Sequence, residues 1–261
     1  MRQDQITRKA NDFWEWVGRP EPFPRTLESS IAWALPLAVV KLPQLTLFEL
    51  RGWLERRGIP STFQSSDRAL RGCLVARKGR GLVFLDGTDP SEEQRFSLAH
   101  ELAHFLLDYL EPRSRATEAL GEAGREVFDG QRSATLEERL TALLRDADLA
   151  PFVHLMDRSP AGEIKGVDVL EREGRCSQLA LELLAPWDLA LTLLAREVED
   201  WPKESSLRQA QSLLMSTFEL PRPVATRYAG VLRVCQASRQ TFRQWLGDAA
   251  SNFSPGTGMK E

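Results

Sequence analysis

Apolar and polar residues follow the period of a helix over most of this chain. Over residues 46–57 apolar side chains recur every three or four positions, which predicts a helix ending at Gly58. Two short β-rich runs follow, Leu70–Arg77 and Gly81–Leu85, and the glycine-containing loop between them predicts a hairpin. Residues 1 to about 42 show a short helical pattern and then an irregular, proline-containing stretch.

Capping signals place the helices that follow. In Asp89-Pro90-Ser91-Glu92, Asp89 is expected to cap a helix, with proline at the first helical position and Glu92 reaching back to the backbone of the cap. This helix should extend to about Tyr109. The remaining predicted segments are helices at 112–128, 135–146 and 167–185, an extended run at 150–157, and a mostly helical region at 187–247.

The composition is that of an ordinary soluble globular protein. The formal net charge is −3, with 42% hydrophobic and 27% charged residues, which excludes wholesale disorder and collagen-like repeats. The longest apolar run, Ile31–Val40, contains a proline and is far shorter than the roughly 20 residues of a membrane helix. No signal peptide is visible, and three widely spaced cysteines give neither a disulfide framework nor a paired-cysteine zinc site. We therefore expect a cytoplasmic protein.

Two of the three histidines lie four residues apart in His100-Glu101-Leu102-Ala103-His104. On a helix they share one face, about 40° apart, so that both imidazoles can bind one zinc ion while Glu101 lies beside them as a general base. Apolar residues cover most of this helix. From Ser97 onwards its polar residues share one arc of about 100° and are Ser97, His100, Glu101, His104 and Asp108. Because buried charge is costly unless it is paired or bound to a metal, this stripe favours a metal site over histidines that hydrogen-bond within the core.

A catalytic zinc site needs a third protein ligand and leaves one position for water. Leu110 stands where the extended form of this motif has a further histidine, so the candidates are Asp108, His154 and an acid on the later helix. Glu173 falls within the apolar face of that helix. The polar face of the same helix is formed by Glu171, Arg175, Gln178 and Glu182. A carboxylate directed into the core needs compensation, which favours Glu173 as the ligand, with a buried arginine pair as the alternative.

The remaining polar residues near the motif are not expected to bind the metal directly. Asp108 lies one turn beyond His104, rather far along the helix axis to share its metal, and is predicted to orient the ligands from behind. Ser97 and Cys176 are candidates for the same role. His154 stands in an apolar run, which fits a hydrogen-bonded core histidine better than a ligand.

Two stretches of the chain resemble the ImmA/IrrE family of metallopeptidases. One is Gln94–Leu107 (QRFSLAHELAHFLL), and the other is Glu173 together with Leu179–Pro186 (LALELLAP). The resemblance covers about residues 45–110 and 165–187, roughly a third of the chain. Both blocks together are far more specific than the HExxH motif alone.

The resemblance implies a helix-rich α+β fold with a zincin-like metallopeptidase core, a small β-sheet and a C-terminal helical region. It assigns His100, His104 and Glu173 as metal ligands and Glu101 as the base of a zinc-dependent endopeptidase, with manganese as the alternative metal. Characterised members cleave small helix-turn-helix repressors of the XRE type. The expected partner is therefore such a repressor, and the expected outcome is derepression of stress or mobile-element genes.

The resulting domain organisation is an N-terminal segment at 1–45, a metallopeptidase domain at 46–186, a C-terminal helical region at 187–250 and a flexible tail at 251–261. Residues 110–163 exceed what compact members of the family are expected to have, and are predicted to form a helical insertion that acts as an accessory lid. Ser177 replaces an asparagine that often follows the ligand glutamate in the family.

No residue is singled out for stabilising the tetrahedral oxyanion. Tyr109 and Tyr228 are the only tyrosines, and Tyr109 points about 140° away from His104 on the helix, which predicts a core position. The predicted hairpin offers an edge to which an extended substrate can add as a strand, unless both of its edges are covered.

Two other functions stay open. A metal-binding regulatory protein that docks a transcription factor without cutting it would need no base, so Glu101 favours the enzyme. A DNA-binding regulator would use the C-terminal region, where Pro221–Leu232 resembles part of a helix-turn-helix and a separate helix is predicted at 238–246. From Trp187 onwards there are nine basic and eight acidic residues, a balance too small for DNA binding. Direct DNA binding and membrane association are therefore not expected.

Overall fold

The computed structural model describes residues 3–59, 66–145, 147, 149, 151–158 and 167–251, without the side chains of residues 167–168 and 239–251. The fold is α+β and rich in helix, as predicted, with a small mixed sheet. Residues up to Leu184 form one compact unit and those from Ala185 a second. Apart from Ser251, the predicted tail lies outside the described residues, and so do residues 146, 148, 150 and 159–163 of the predicted insertion.

The elements of the first unit are, in chain order, α1 (Gln3–Val17), α2 (Glu28–Ala34), β1 (Leu37–Leu42), α3 (Leu47–Glu55), β2 (Leu70–Arg77), β3 (Arg80–Asp86), α4 (Ser91–His104), α5 (Glu111–Phe128), α6 (Leu136–Leu144), β4 (Phe152–Asp157) and α7 (Val167–Leu184). A π-helical turn, Phe105–Leu110, carries α4 directly into α5. Tyr109 in this turn is buried, as predicted, and its hydroxyl accepts a hydrogen bond of 2.7 Å from Gly79 N–H.

The predicted hairpin forms and lies in the middle of the sheet. β2 and β3 are antiparallel, β1 adds to β3 in parallel, and β4 adds to β2 in antiparallel orientation, which gives the order β1-β3-β2-β4. Both edges of the hairpin are covered by neighbouring strands, so of the two alternatives left open by the sequence the structure shows the one in which the hairpin has no free edge. In the described part of the chain, the open edges of this sheet belong to β1 and β4.

The N-terminal segment is more regular than its sequence predicts. Instead of one short helix and an irregular stretch, it forms α1, α2 and β1. Strand β1 depends on a distant partner, because Leu37 pairs with Gly81, and such pairing is not visible in local sequence. Helix α1 packs on α7, where Gln3 and Thr7 donate hydrogen bonds of 3.1 Å to Glu182. Glu182, predicted to lie on a polar face, is therefore buried.

The start of α4 also differs from the prediction. The helix begins at Ser91, and Pro90 rather than Asp89 occupies the cap position, without a side-chain hydrogen bond. The Asp89 carboxylate instead accepts a hydrogen bond of 2.7 Å from Arg158, which follows β4. A bond from a charged guanidinium is stronger than one from a backbone N–H, which explains why Asp89 does not cap the helix.

Several predicted boundaries are confirmed. Helix α3 begins after Thr46, whose hydroxyl accepts a hydrogen bond from Glu49 N–H. Helix α6 carries the predicted capping box between Thr135 and Glu138, and α7 ends just before Pro186. The predicted insertion is helical only in part, because β4 lies within it and belongs to the central sheet.

Asp86, at the end of β3, joins separate parts of the first unit. Its buried carboxylate accepts hydrogen bonds from Leu45 N–H at 3.2 Å, from the Thr88 hydroxyl at 2.6 Å and from Arg158 at 2.8 Å. Burial raises the pKa of Asp86, but the bonds from Thr88 and the charge of Arg158 outweigh burial. The pKa therefore lies below its ordinary value.

We expect Asp86→Asn to lower the free energy of unfolding by about 2 kcal/mol at pH 7, because hydrogen bonds to charged groups contribute about 1.5–3 kcal/mol. The ionised carboxylate stabilises the fold fully above the unfolded pKa of about 3.9, and this contribution disappears as the pH falls through the lowered folded pKa. Urea denaturation at a series of pH values measures the effect. Wild type and variant should converge at acid pH, and a gap that stays constant would contradict this role.

The second unit contains α8 (Trp187–Glu197), a 3₁₀ turn (Glu204–Ser206), α9 (Leu207–Phe218) and α10 (Arg222–Ser251). The separate helix predicted at 238–246 is wrong, because α10 is continuous and Gly230 does not interrupt it. Tyr228 is buried within this unit, and its hydroxyl donates a hydrogen bond of 2.9 Å to the carbonyl of Ala185. Among the described helices, none is by itself both long and apolar enough to cross a membrane.

Candidate metal centre

The polar stripe of α4 is buried between the sheet and α7. Helix α4 packs against β2, β3 and β4 on one side and against α7 on the other. As a result, Ser97, His100, Glu101 and His104 are all at most 3% exposed. The rings of His100 and His104 lie one helical turn apart, with their centroids separated by 4.8 Å. Buried polar side chains of this kind need partners.

Helix α7 brings a carboxylate to the two histidines. Glu173 Oε2 lies 3.2 Å from His100 Nε2, Glu173 Oε1 lies 3.8 Å from His104 Nε2, and the two histidine nitrogens are 3.1 Å apart. Atoms bound at about 2.0–2.1 Å to a tetrahedral zinc ion are about 3.3 Å from each other. The structure thus brings the three predicted ligands together at the spacing that one ion requires. The Glu173 side chain contacts histidines rather than an arginine, and it is 28% exposed, so the centre opens to solvent beside it.

Asp108 and Cys176 lie behind His104. Asp108 Oδ2 is 2.7 Å from His104 Nδ1, and Cys176 Sγ is 3.4 Å from the same nitrogen. A histidine that donates its Nδ1–H to a carboxylate presents the Nε2 lone pair to a metal. Asp108 is therefore placed where it can fix the tautomer and the orientation of His104.

The two serines contribute differently. Ser177 Oγ lies 3.5 Å from His100 Nδ1, at the outer limit of a hydrogen bond, which gives His100 a neighbour on the side away from Glu173. Ser97 Oγ is buried and has no hydrogen-bond partner among the described residues. The structure therefore gives Ser97 no contact that would orient a ligand.

His154, which the sequence predicts to be a hydrogen-bonded core histidine rather than a ligand, lies inside the centre and contacts two of its carboxylates. It projects from β4, where it is paired with Leu74 of β2. Its Nδ1 lies 2.8 Å from Glu101 Oε2, and its Nε2 lies 3.0 Å from Glu173 Oε1. The pairing of β4 with β2 carries it there, and the apolar run around it does not reveal that pairing. The available signal is rarity, because all three histidines of the chain meet at this point.

Neighbouring charges shift the pKa values of these groups. Burial lowers the pKa of His154, but the carboxylates of Glu101 and Glu173 outweigh burial and raise it to about 10. Burial raises the pKa of Glu173, yet hydrogen bonds from the three histidines more than offset this, and the pKa lies well below its ordinary value. Burial lowers the pKa of His100. An ionised Glu173 carboxylate beside a neutral His100 imidazole is the protonation state that metal binding requires of these two groups.

The residues of the centre fit a zinc ion. One ligand atom from each of His100, His104, His154 and Glu173 lies within 4.8 Å of the others. Glu101 Oε1 is buried beside them and has no hydrogen-bond partner in the described part of the chain. Imidazole nitrogens with a carboxylate oxygen form a donor set that zinc commonly takes.

The fold and the centre define a class of protein, in which a helix-rich α+β unit of zincin-like architecture carries an HExxH helix and a glutamate from a second helix. The family model of the IrrE N-terminal-like domain, a peptidase family designated M78, matches residues 56–134. The match confirms the resemblance of this part of the chain to the ImmA/IrrE family. The match supports a metallopeptidase; it contains His100, Glu101 and His104 and ends before β4 and α7. No curated protein and no solved structure matches the chain.

Proposed function

We propose that this protein is a zinc-dependent endopeptidase that cleaves a partner repressor of the XRE helix-turn-helix type. The observation that carries the proposal is the convergence of His100, His104 and Glu173 beside the buried carboxylate of Glu101. The choice of a repressor as the substrate is based on the family resemblance. We place the docking site at the open edge of β4 rather than at the hairpin, because β4 itself carries His154 and an extended peptide can add to this edge as a strand.

Glu101 can carry the proton that moves from the attacking water to the leaving amine. Zinc held by His100, His104 and Glu173 would polarise the scissile carbonyl and lower the pKa of a water molecule. Glu101 Oε1, which has no hydrogen-bond partner among the described residues, takes one proton of the attacking water while the water oxygen bonds to the scissile carbon. The carbon–nitrogen bond then breaks, and Glu101 returns the proton to the leaving amine.

Gly72 of β2 leaves room for this carboxylate. A Cβ at position 72 would lie 3.1 Å from Glu101 Oε1 and 3.2 Å from its Cγ, closer than ordinary contact. We expect Gly72→Ala to displace Glu101 and to lower kcat by roughly 10- to 100-fold, because misplacement by about 1 Å can cost that much, while the metal content stays unchanged. Gly174→Ala is the matched control in α7, since a Cβ there meets nothing within 4 Å. An equal loss in both variants would contradict this role of Gly72.

A second function is favoured by one observation. His154 lies within the same group of donor atoms as the three proposed ligands. Four protein ligands would close the coordination sphere, as in structural zinc sites, and would leave no position for water. The protein would then be a metal-binding regulator that docks a transcription factor without cutting it.

Incubation of the zinc-loaded protein with purified XRE-type repressors from the same genome tests the proposal, with fragments identified by mass spectrometry. We expect one repressor to be cut at a single bond by wild type and by no preparation of His104→Ala. The peptidase proposal would be overturned, in favour of the metal-binding regulator, by two results together. The zinc-loaded protein would leave every repressor intact, and its X-ray absorption spectrum would show four protein ligands on the zinc.

A further inference from the structure

We propose that His154 is a positioning residue that holds the Glu101 carboxylate for its two proton transfers and is not a fourth metal ligand. The inference rests on the proposed peptidase function. His154 lies outside residues 56–134, the segment matched by the family model.

The first argument is the environment of Glu101. Its side chain is fully buried, with Gly72 of β2 next to Oε1 and Cγ, and His154 of β4 next to Oε2. The 2.8 Å bond from His154 Nδ1 fixes one carboxylate oxygen and leaves the other, Oε1, without a partner in the described residues. A carboxylate held in this way has one oxygen as an anchor and one oxygen available to take a proton.

The second argument is the stacking of His154 on His104. Their ring centroids are 3.6 Å apart and the ring planes differ by only 21°. A ring nitrogen binds a metal through a lone pair that lies in the plane of the ring. An ion that lies in the ring plane of His104 is therefore offset from the ring plane of His154 by about the distance between the two stacked rings. The lone pairs of His154 do not point at such an ion. His100 has no such conflict with His104, because those two planes meet at 68°.

The third argument is that both nitrogens of His154 already face carboxylates. Nδ1 faces Glu101 and Nε2 faces Glu173 Oε1 at 3.0 Å. The ring therefore links the base to a proposed ligand, and its side chain is only 13% exposed. Loss of the ring would leave the buried Glu101 carboxylate without its described partner, and such a group either finds a new position or becomes costly to bury.

Three substitutions separate the two contacts. Asparagine places an amide nitrogen near the position of Nδ1 and keeps the bond to Glu101. Glutamine reaches the position of Nε2 and keeps only the contact with Glu173, and alanine keeps neither. We expect His154→Gln and His154→Ala to lower kcat for the cleaved repressor by about 10- to 100-fold with little change in KM, and His154→Asn to remain within a few-fold of wild type.

Metal content and a double-mutant cycle supply readouts other than activity of a single variant. All three variants should keep about one zinc per chain and an unchanged absorption spectrum after cobalt substitution. Because His154 acts through Glu101, His154→Ala should cause no further loss in a Glu101→Gln background.

Each contrary outcome has a distinct meaning. Loss of metal from all three variants would overturn the inference and make His154 a ligand. Cleavage at the wild-type rate by His154→Ala, or equal losses in the asparagine and glutamine variants, would overturn positioning while leaving the peptidase intact. Absence of cleavage by zinc-loaded wild type would overturn the proposed function and this inference together.

Discussion

Replacing Glu101 with glutamine should lower kcat by about 10²- to 10⁴-fold, the usual contribution of a general base. Glutamine has nearly the same shape and can still accept a hydrogen bond from His154, so the packing between β2 and β4 is kept. An amide oxygen does not take up a proton at neutral pH, and the two transfers described above are lost. Single-turnover cleavage of the repressor measures the effect, and elemental analysis should still find about one zinc per chain.

Glu92→Gln provides a matched control for this substitution. Glu92 lies in the first turn of the same helix, more than two turns before Glu101, and its side chain contacts only Ser91 among the hydrogen bonds described for it. The control should cleave at the wild-type rate. A Glu101→Gln variant that cleaves as fast as wild type would show that another group takes the proton, and one that loses its zinc would make Glu101 a ligand.

Removal of the Glu173 carboxylate should abolish stoichiometric metal binding. We expect Glu173→Ala to contain less than about 0.1 zinc per chain after dialysis, because two histidines alone give an incomplete catalytic site. A ligand that binds only the folded state stabilises it by about 2.7 kcal/mol at 100 times its Kd. Added zinc should therefore raise the Tm of wild type and leave that of the variant unchanged.

Glu171→Ala is the control on the same helix. Glu171 is exposed and two residues before Glu173, so its loss removes the same charge without touching the centre. This control should bind zinc like wild type. Stoichiometric zinc in Glu173→Ala would refute the role of Glu173 and would point to His154 as the third ligand.

The parts of the fold that local sequence predicts are those whose stability is decided locally. Thr135 and Glu138 form their capping box within four residues, and the loop at Gly79 turns the chain between neighbouring strands. Strand β1 could not be predicted in this way, because its pairing joins Leu37 to Gly81. The sequence predicts Asp89 as a helix cap because the contact with its distant partner, Arg158, is not visible in the local sequence. Errors of this kind arise where a long-range contact competes with a local one.

The centre shows the same division. His100, Glu101 and His104 lie on one helix, so their spacing alone places them together. Glu173 is suggested by its position on an apolar helix face, but the distance to the histidines comes from the packing of α4 on α7. The position of His154 inside the centre could not be predicted from the sequence, since the pairing of β4 with β2 determines which way its side chain faces.

The wide separation of the proposed ligands along the chain bears on which changes of length this chain can tolerate. Glu173 lies 73 positions beyond His100, and α5 and α6 lie in the loop between them. The entropy cost of closing a loop grows only with the logarithm of its length, so that a doubling costs about 0.6 kcal/mol. Residues can therefore be gained or lost in α5 and α6 at little expense to zinc affinity, provided that α4 and α7 stay packed. This stretch is a tolerant place for new recognition surfaces to evolve while the chemistry is conserved.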